Sequence, residues 1–208
     1  MRLILASSSP RRSEILARLG LPFEIVSPGL EELFRPDRSP REEAVYWALE
    51  KARAIHRRNS GAIVLGCDTV IDLDGHTIGK PSDSGDAVGI LSQMSGREHW
   101  VVTAAAAVFP DGKERIAVEK TKVRMPPASR ETLVQYVATG EPLDKAGAYS
   151  LQGGGRKLIA SIEGDFLSAV GLPLRAVALL LEEGGLRPAA DVERIYREKA
   201  LMNWKSYL

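Results

Sequence analysis

A single cysteine, Cys67, in 208 residues excludes an intrachain disulfide and argues against a thiolate metal cage. An excess of either charge is also missing. Lysine and arginine number 28 against 27 acidic residues, a net charge of +1, which argues against a protein that coats a nucleic-acid polymer but leaves a local basic pocket open. No apolar run approaches the roughly 20 residues of a membrane span. The apolar opening is too short for a signal peptide and runs straight into arginines, so a cytoplasmic protein is expected. There is no disordered tract and no internal repeat. What remains is an ordinary globular composition, 44% hydrophobic and 26% charged, long enough for one large domain or two small lobes around a sizeable core.

The opening stretch carries the most chemistry. Leu3, Ile4 and Leu5 read as a short buried strand, and Ser7, Ser8 and Ser9 lead to Pro10, a residue suited to a first helical position. The serines can cap that helix. Its free N–H groups and positive dipole end, with Arg11 and Arg12 beside them, suit a polyanion. An ordinary helix start with solvated arginines fits the same residues, so the rest of the chain has to decide.

The first helix has the apolar stripe Ile15, Leu16 and Leu19 and stops at Gly20; Phe23 to Val26 is extended, and a loop follows through Pro28, Gly29, Glu31, Glu32 and Pro36. Ser39-Pro40-Arg41-Glu42 opens a second helix with a capping box, and Ala44, Val45, Ala48, Ala52 and Ile55 define its buried face. Lys51 falls at the edge of that face, where a lysine either snorkels to water or points into a cleft. Ala62 to Ile71 is an apolar strand interrupted by Asp68. A carboxylate there must be paired, hydrogen-bonded or metal-bound, and it serves either structure or catalysis. Cys67 beside it reads as a small buried hydrophobe.

Asp72, Asp74 and Gly75 form a turn into Thr77-Ile78-Gly79-Lys80-Pro81, which fails as a P-loop because Pro81 stands where Ser or Thr should be. Asp83 to Met94 reads as a helix, Trp100 to Phe109 and Glu114 to Val123 as strands joined by Pro110-Asp111-Gly112-Lys113, and Ser129 to Ala138 as a helix ended by Gly140. The glycine-rich segment 141–155, with Asp144, Lys145, Tyr149 and Gln152, suits close approach of backbone to a ligand or a plain surface loop. Leu158 to Ile162 reads as a strand, and Gly171-Leu172-Pro173-Leu174 as the start of a helix running through Val177, Leu180 and Leu181. The tail beyond about Pro188 is aromatic and amphipathic and suits packing on the body or on a partner chain.

Ala6-Ser7-Ser8-Ser9-Pro10-Arg11-Arg12, Glu50-Lys51-Ala52-Arg53-Ala54, Gly66-Cys67-Asp68-Thr69, Gly79-Lys80-Pro81, Leu91-Ser92-Gln93-Met94-Ser95-Gly96, Glu141 to Tyr149 and Val170-Gly171-Leu172-Pro173-Leu174 occur in that order. In order and content they resemble the Maf family of nucleotide pyrophosphatases, over roughly Leu3 to Leu181. The resemblance implies an elongated α/β fold related to the inosine triphosphate pyrophosphatases, with a mixed twisted sheet, flanking helices and a cleft between two lobes. Residues 1–187 would form that unit and 188–208 an amphipathic tail. Homodimers are implied, as is cleavage of a nucleoside triphosphate between its α and β phosphates with Mg2+ or Mn2+.

The resemblance also implies roles. Asp68 would be the general base and, with Glu32, a metal-side carboxylate; Ser7, Arg11, Arg12, Lys51 and Lys80 would neutralise the triphosphate. Arg12, Thr69 and Gln152, and the Thr103-Ala104 step, resemble the branch acting on dTTP and UTP. A glutamine amide suits those bases, because its carbonyl accepts from the ring N3–H while its NH2 donates to a ring carbonyl. Arg11 is assigned mainly to phosphate and Arg12 to nucleotide choice as well. The alternatives are a pyrophosphatase for a methylated or otherwise modified nucleotide, and a non-catalytic nucleotide-binding regulator of septum formation.

Overall fold

The long apolar run around Asp68 becomes the spine of the molecule. The computed structural model describes every residue except Phe34, Pro36 and Leu208, so the expected loop residue Pro36 lies outside the described residues. The chain folds as β1 (Arg2–Ala6), α1 (Pro10–Ala17), β2 (Glu24–Ile25), α2 (Pro40–His56), β3 (Ala62–Leu73), β4 (His76–Ile78), α3 (Ser84–Met94), β5 (Glu98–Val108), β6 (Glu114–Arg124), α4 (Arg130–Val137), β7 (Ser161–Glu163), α5 (Phe166–Val170), α6 (Leu174–Glu183) and α7 (Val192–Glu198). Short 3-10 helices occur at Ala146–Ala148, Gly153–Leu158 and Trp204–Tyr207.

The seven strands form one mixed sheet in the order β2-β1-β3-β5-β6-β7, with β4 paired to β3. β1 lies parallel to β2 and β3, and the remaining pairs are antiparallel. Strand alternation divides the core between the two faces. Ile4, Ala6, Val64, Val70, Val102, Ala104 and Ala106 pack with the alanine stripe of α2, whereas Leu3, Leu5, Ile63, Leu65, Cys67 and Ile71 join the larger core under the other helices. This is the α/β architecture of a mixed sheet with flanking helices that the resemblance implies.

Two local features place the site. β1 pairs with β3 only from Ala62 to Gly66, and β4 takes up β3 again at Ile71, so Cys67 to Val70 have no strand partner on that edge, just past the C-terminal end of β1. Gly66 then lets α2 come very close: a Cβ there would lie 2.2 Å from the Ala48 carbonyl and 2.8 Å from the Ala52 nitrogen. That approach presses Lys51 against Asp68.

The capping box at Ser39 and Glu42 forms as expected, with Ser39 Oγ accepting from the Glu42 N–H at 3.3 Å and Glu42 Oε2 accepting from the Ser39 N–H at 2.9 Å. Other expectations are corrected. Ser9 occupies the cap position of α1 but its side chain makes no capping bond. Leu158 ends a 3-10 helix, and the strand covers only Ser161–Glu163, because only Lys122 to Arg124 of β6 offer it partners. The short helix α5 was not anticipated; Asp165 caps it by accepting from the N–H groups of Leu167 and Ser168 at 2.9 and 3.2 Å. The tail packs on the body, with Trp204 stacked on the buried Phe166 at 5.3 Å and the Tyr196 hydroxyl donating to Asp165 at 2.7 Å. No helix among the described residues is long and apolar enough to cross a membrane.

Candidate active site

Past the end of β1 lies a cleft of about 460 Å³ whose walls include Ser7, Arg11, Arg12, Glu32, Lys51, Asp68, Thr69, Lys80 and Gln152. Residues from eight separated stretches of chain line it, and these nine candidates named from the sequence are among them, with Thr103 behind Thr69.

One wall is acidic and held by a single cation. Lys51 is only 5% exposed, which resolves the snorkelling question: its ammonium donates to Asp68 Oδ1 at 2.6 Å and lies 2.9 Å from Glu32 Oε1. Burial raises the pKa of Asp68 above the ordinary carboxylate value, against the pull of Lys51 and Arg12. For the shallower Glu32, partial burial also opposes ionisation, but Lys51, with Lys80 and Arg12 adding, carries its pKa below the ordinary value. The pair is thus split, with the better proton acceptor at depth and the more acidic carboxyl group on the shallower side.

The opposite wall is the start of α1. Ser7 Oγ accepts from the Ser9 N–H at 3.1 Å and from Arg12 Nη1 at 3.5 Å. Because no serine hydroxyl caps the helix, its dipole end and first-turn amides face the cleft, the arrangement that favours an anion. Burial lowers the pKa of Arg11, with Asp144 opposing, so this guanidinium is better matched by an added anion. Among the described residues, Arg11, Arg12 and Lys80 make no ion pair, in contrast to Lys51.

Arg12 is fixed from three sides. Its Nε donates to the Gly171 carbonyl at 2.9 Å and its Nη2 to Thr69 Oγ1 at 3.3 Å, besides the contact with Ser7. Thr69 in turn lies 3.1 Å from Thr103 Oγ1, which donates to the Ser168 carbonyl at 2.8 Å. Arg12, Thr69 and Thr103 therefore form one chain of bonds that ends on α5.

Carboxylate oxygens suit a hard divalent ion. Magnesium is commonly held by one or two carboxylates, with substrate phosphates and water completing the shell. Asp68 and Glu32 converge on one cationic point, and the described residues contain no cluster of three acidic, histidine or cysteine side chains. The donor set fits a metal that arrives with phosphate. Cys67 is fully buried, and that burial pushes its thiol up to about 11, so it is a core residue and no nucleophile.

The family model for Maf-like proteins matches residues 2–184. The chain belongs to the Maf family. Among curated Maf relatives, a dTTP/UTP pyrophosphatase of Symbiobacterium thermophilum is 49% identical over 184 residues, 88% of this chain and 94% of that protein. The proteins of the same name from Dictyoglomus turgidum and Aquifex aeolicus are 44% and 43% identical, each over 88% of this chain and over 96% and 95% of their own lengths. Two solved structures align less closely. A dITP/XTP pyrophosphatase from Mycobacterium abscessus covers 88% of this chain and 94% of its own with a TM-score of 0.44 at 19% identity. The Staphylococcus aureus Ham1 protein covers 77% and 81% with a TM-score of 0.47 at 12% identity.

In this Maf-like chain, residues of the glycine-rich segment 141–155 other than Gln152 line or brace the cleft without having been given individual roles in it. Tyr149 and Lys145 line it; the Tyr149 hydroxyl sits 2.7 Å from His99 Nε2, and Lys145 donates to the Glu141 carbonyl at 2.8 Å. The glycines after Gln152 have a local reason. Gly154 and Gly155 donate to the Glu141 carboxylate at 2.9 and 3.1 Å, and a Cβ on Gly155 would lie 2.2 Å from the Ser150 carbonyl. Their smallness closes the loop on itself, so it does not by itself signal a ligand.

Proposed function

We propose that this Maf-like chain is a nucleoside triphosphate pyrophosphatase that hydrolyses dTTP and UTP to the monophosphate and pyrophosphate. The observation that carries the reading is one cleft with a buried, basic Asp68 on one wall and the arginine-bearing helix start on the other. Near full-length relatives that carry the name dTTP/UTP pyrophosphatase support the substrate class.

In this reading the triphosphate lies along the α1 terminus, where Ser7, Arg11, Arg12 and Lys80 match its charge. Asp68 accepts a proton from water as the water oxygen bonds to the α-phosphorus. The bridge to the β-phosphate breaks, and its electron pair leaves with pyrophosphate. The arginines and Lys80 stabilise the charge that grows on that leaving group, which is where electrostatic help lowers a barrier. Lys51 holds Asp68 aimed and ionised. Asp68 and Glu32 would hold Mg2+ or Mn2+, which supplies Lewis-acid neutralisation of phosphate charge when bound. Gln152 reads the pyrimidine edge, accepting from N3–H and donating to a ring carbonyl, a pattern cytosine reverses. The substrate belongs to the soluble nucleotide pool, which suits a cytoplasmic enzyme. A panel of nucleoside triphosphates with either ion, read by pyrophosphate release, tests the proposal.

A further inference from the structure

The family match ends at residue 184, yet the segment beyond it reaches back to the cleft. The Leu151 carbonyl accepts from Asn203 Nδ2 at 2.8 Å and from the Tyr207 hydroxyl. On the other side of Gln152, Arg156 donates to the Ser206 carbonyl through Nε at 3.2 Å and Nη2 at 2.5 Å, and its guanidinium lies 4.2 Å from the centre of the Tyr207 ring. Leu151 and Arg156 bracket Gln152 and its three glycines. The segment is itself anchored, since Trp204 and Tyr207 pack on Phe166 with ring centres 5.3 and 5.5 Å away.

We propose that the C-terminal segment is a strap that sets the position of Gln152 for base recognition, with Asn203 and Tyr207 as positioning residues. The proposal rests on Gln152 reading the pyrimidine. A glycine-rich loop loses much conformational freedom when a ligand orders it, and that loss weakens binding. Bonds on both sides of Gln152 pay that entropy in the folded state instead. The strap should therefore govern KM and base selectivity, while the reacting groups on β3 and α1 keep kcat.

The test compares full-length wild type with the Asn203→Ala/Tyr207→Phe double variant, Gln152→Ala and their combination. Rates are measured by pyrophosphate release with dTTP, UTP and CTP, alongside thermal unfolding; Tyr207→Phe alone keeps the ring packing. The expected result is a rise of about tenfold in KM for dTTP and UTP, the loss of two hydrogen bonds to one carbonyl. With it come relaxed discrimination against CTP, nearly unchanged kcat, and no further loss when the double variant is added to Gln152→Ala. Relaxed selectivity in Gln152→Ala with none in the double variant overturns the strap and leaves base reading in place. Unchanged selectivity in Gln152→Ala overturns base reading and the strap with it. Parallel changes for all three nucleotides that follow the unfolding midpoint reduce the segment to plain structural support.

Discussion

At the scale of single residues, the cleft divides labour by depth. Asp68 and Glu32 share one ammonium, but Asp68 is the more deeply buried, so its pKa rises while that of Glu32 falls. Asp68→Asn keeps the shape and a polar partner for Lys51, and removes the proton acceptor. It should lower kcat about a thousandfold, in the range expected of a general base, while nucleotide binding measured by calorimetry is retained. In the wild type, the acid limb of kcat/KM should lie above the ordinary aspartate value near 4, because the carboxylate must be ionised to work. Arg11→Ala should raise KM for every triphosphate alike, by about tenfold, since phosphate carries no base identity. Asp68 was legible because a carboxylate inside an apolar strand demands an explanation. Glu32 was harder, sitting in a loop without periodicity, and the direction of Lys51 was undecidable from its place at the edge of a helical stripe.

At the scale of elements, the site depends on how closely α2 lies on β3. Gly66→Ala would drive a Cβ into the Ala48 carbonyl, backbone that cannot turn aside. It should cost about 3 kcal/mol, read from urea unfolding, and lower activity further by moving Lys51 away from Asp68. Strands β1, β3, β5 and β6 and helix α2 were legible because apolar alternation, helical spacing and a capping box agree with one another. The stretch from 141 to 170 was less so. Its glycines read equally well as ligand contacts, and only the folded loop shows Glu141 satisfying their N–H groups. Helix α5 is five residues long, too short for a periodic signal, although the Asp165 cap ahead of Phe166 could have marked it.

At the scale of the whole molecule, His99 ties the sheet to the loop that lines the cleft. It is 2% exposed, bonds Tyr149 through Nε2, leaves Nδ1 without a partner, and burial pushes its pKa down to about 4. Between that value and the ordinary 6.5 the unfolded chain binds more protons than the native one, so stability rises with pH across the window. Urea unfolding should show about 3 kcal/mol lost as pH falls from 6.5 towards 4, with no contribution from this group above that range. His99→Phe should be weaker at neutral pH and flatter on the acid side. The same connection ties the loop carrying Gln152 to β5, the neighbour of β3, so the fold as a whole brings Gln152 to the cleft that holds Asp68. Pyrophosphate release across dTTP, UTP, CTP, ATP and a methylated GTP, with magnesium and with manganese, tests that arrangement most directly. dTTP and UTP should be cleaved fastest, and Asp68→Asn should cleave none of the panel at a comparable rate. Faster cleavage of the methylated GTP, or an Asp68→Asn variant as active as wild type, would contradict that expectation.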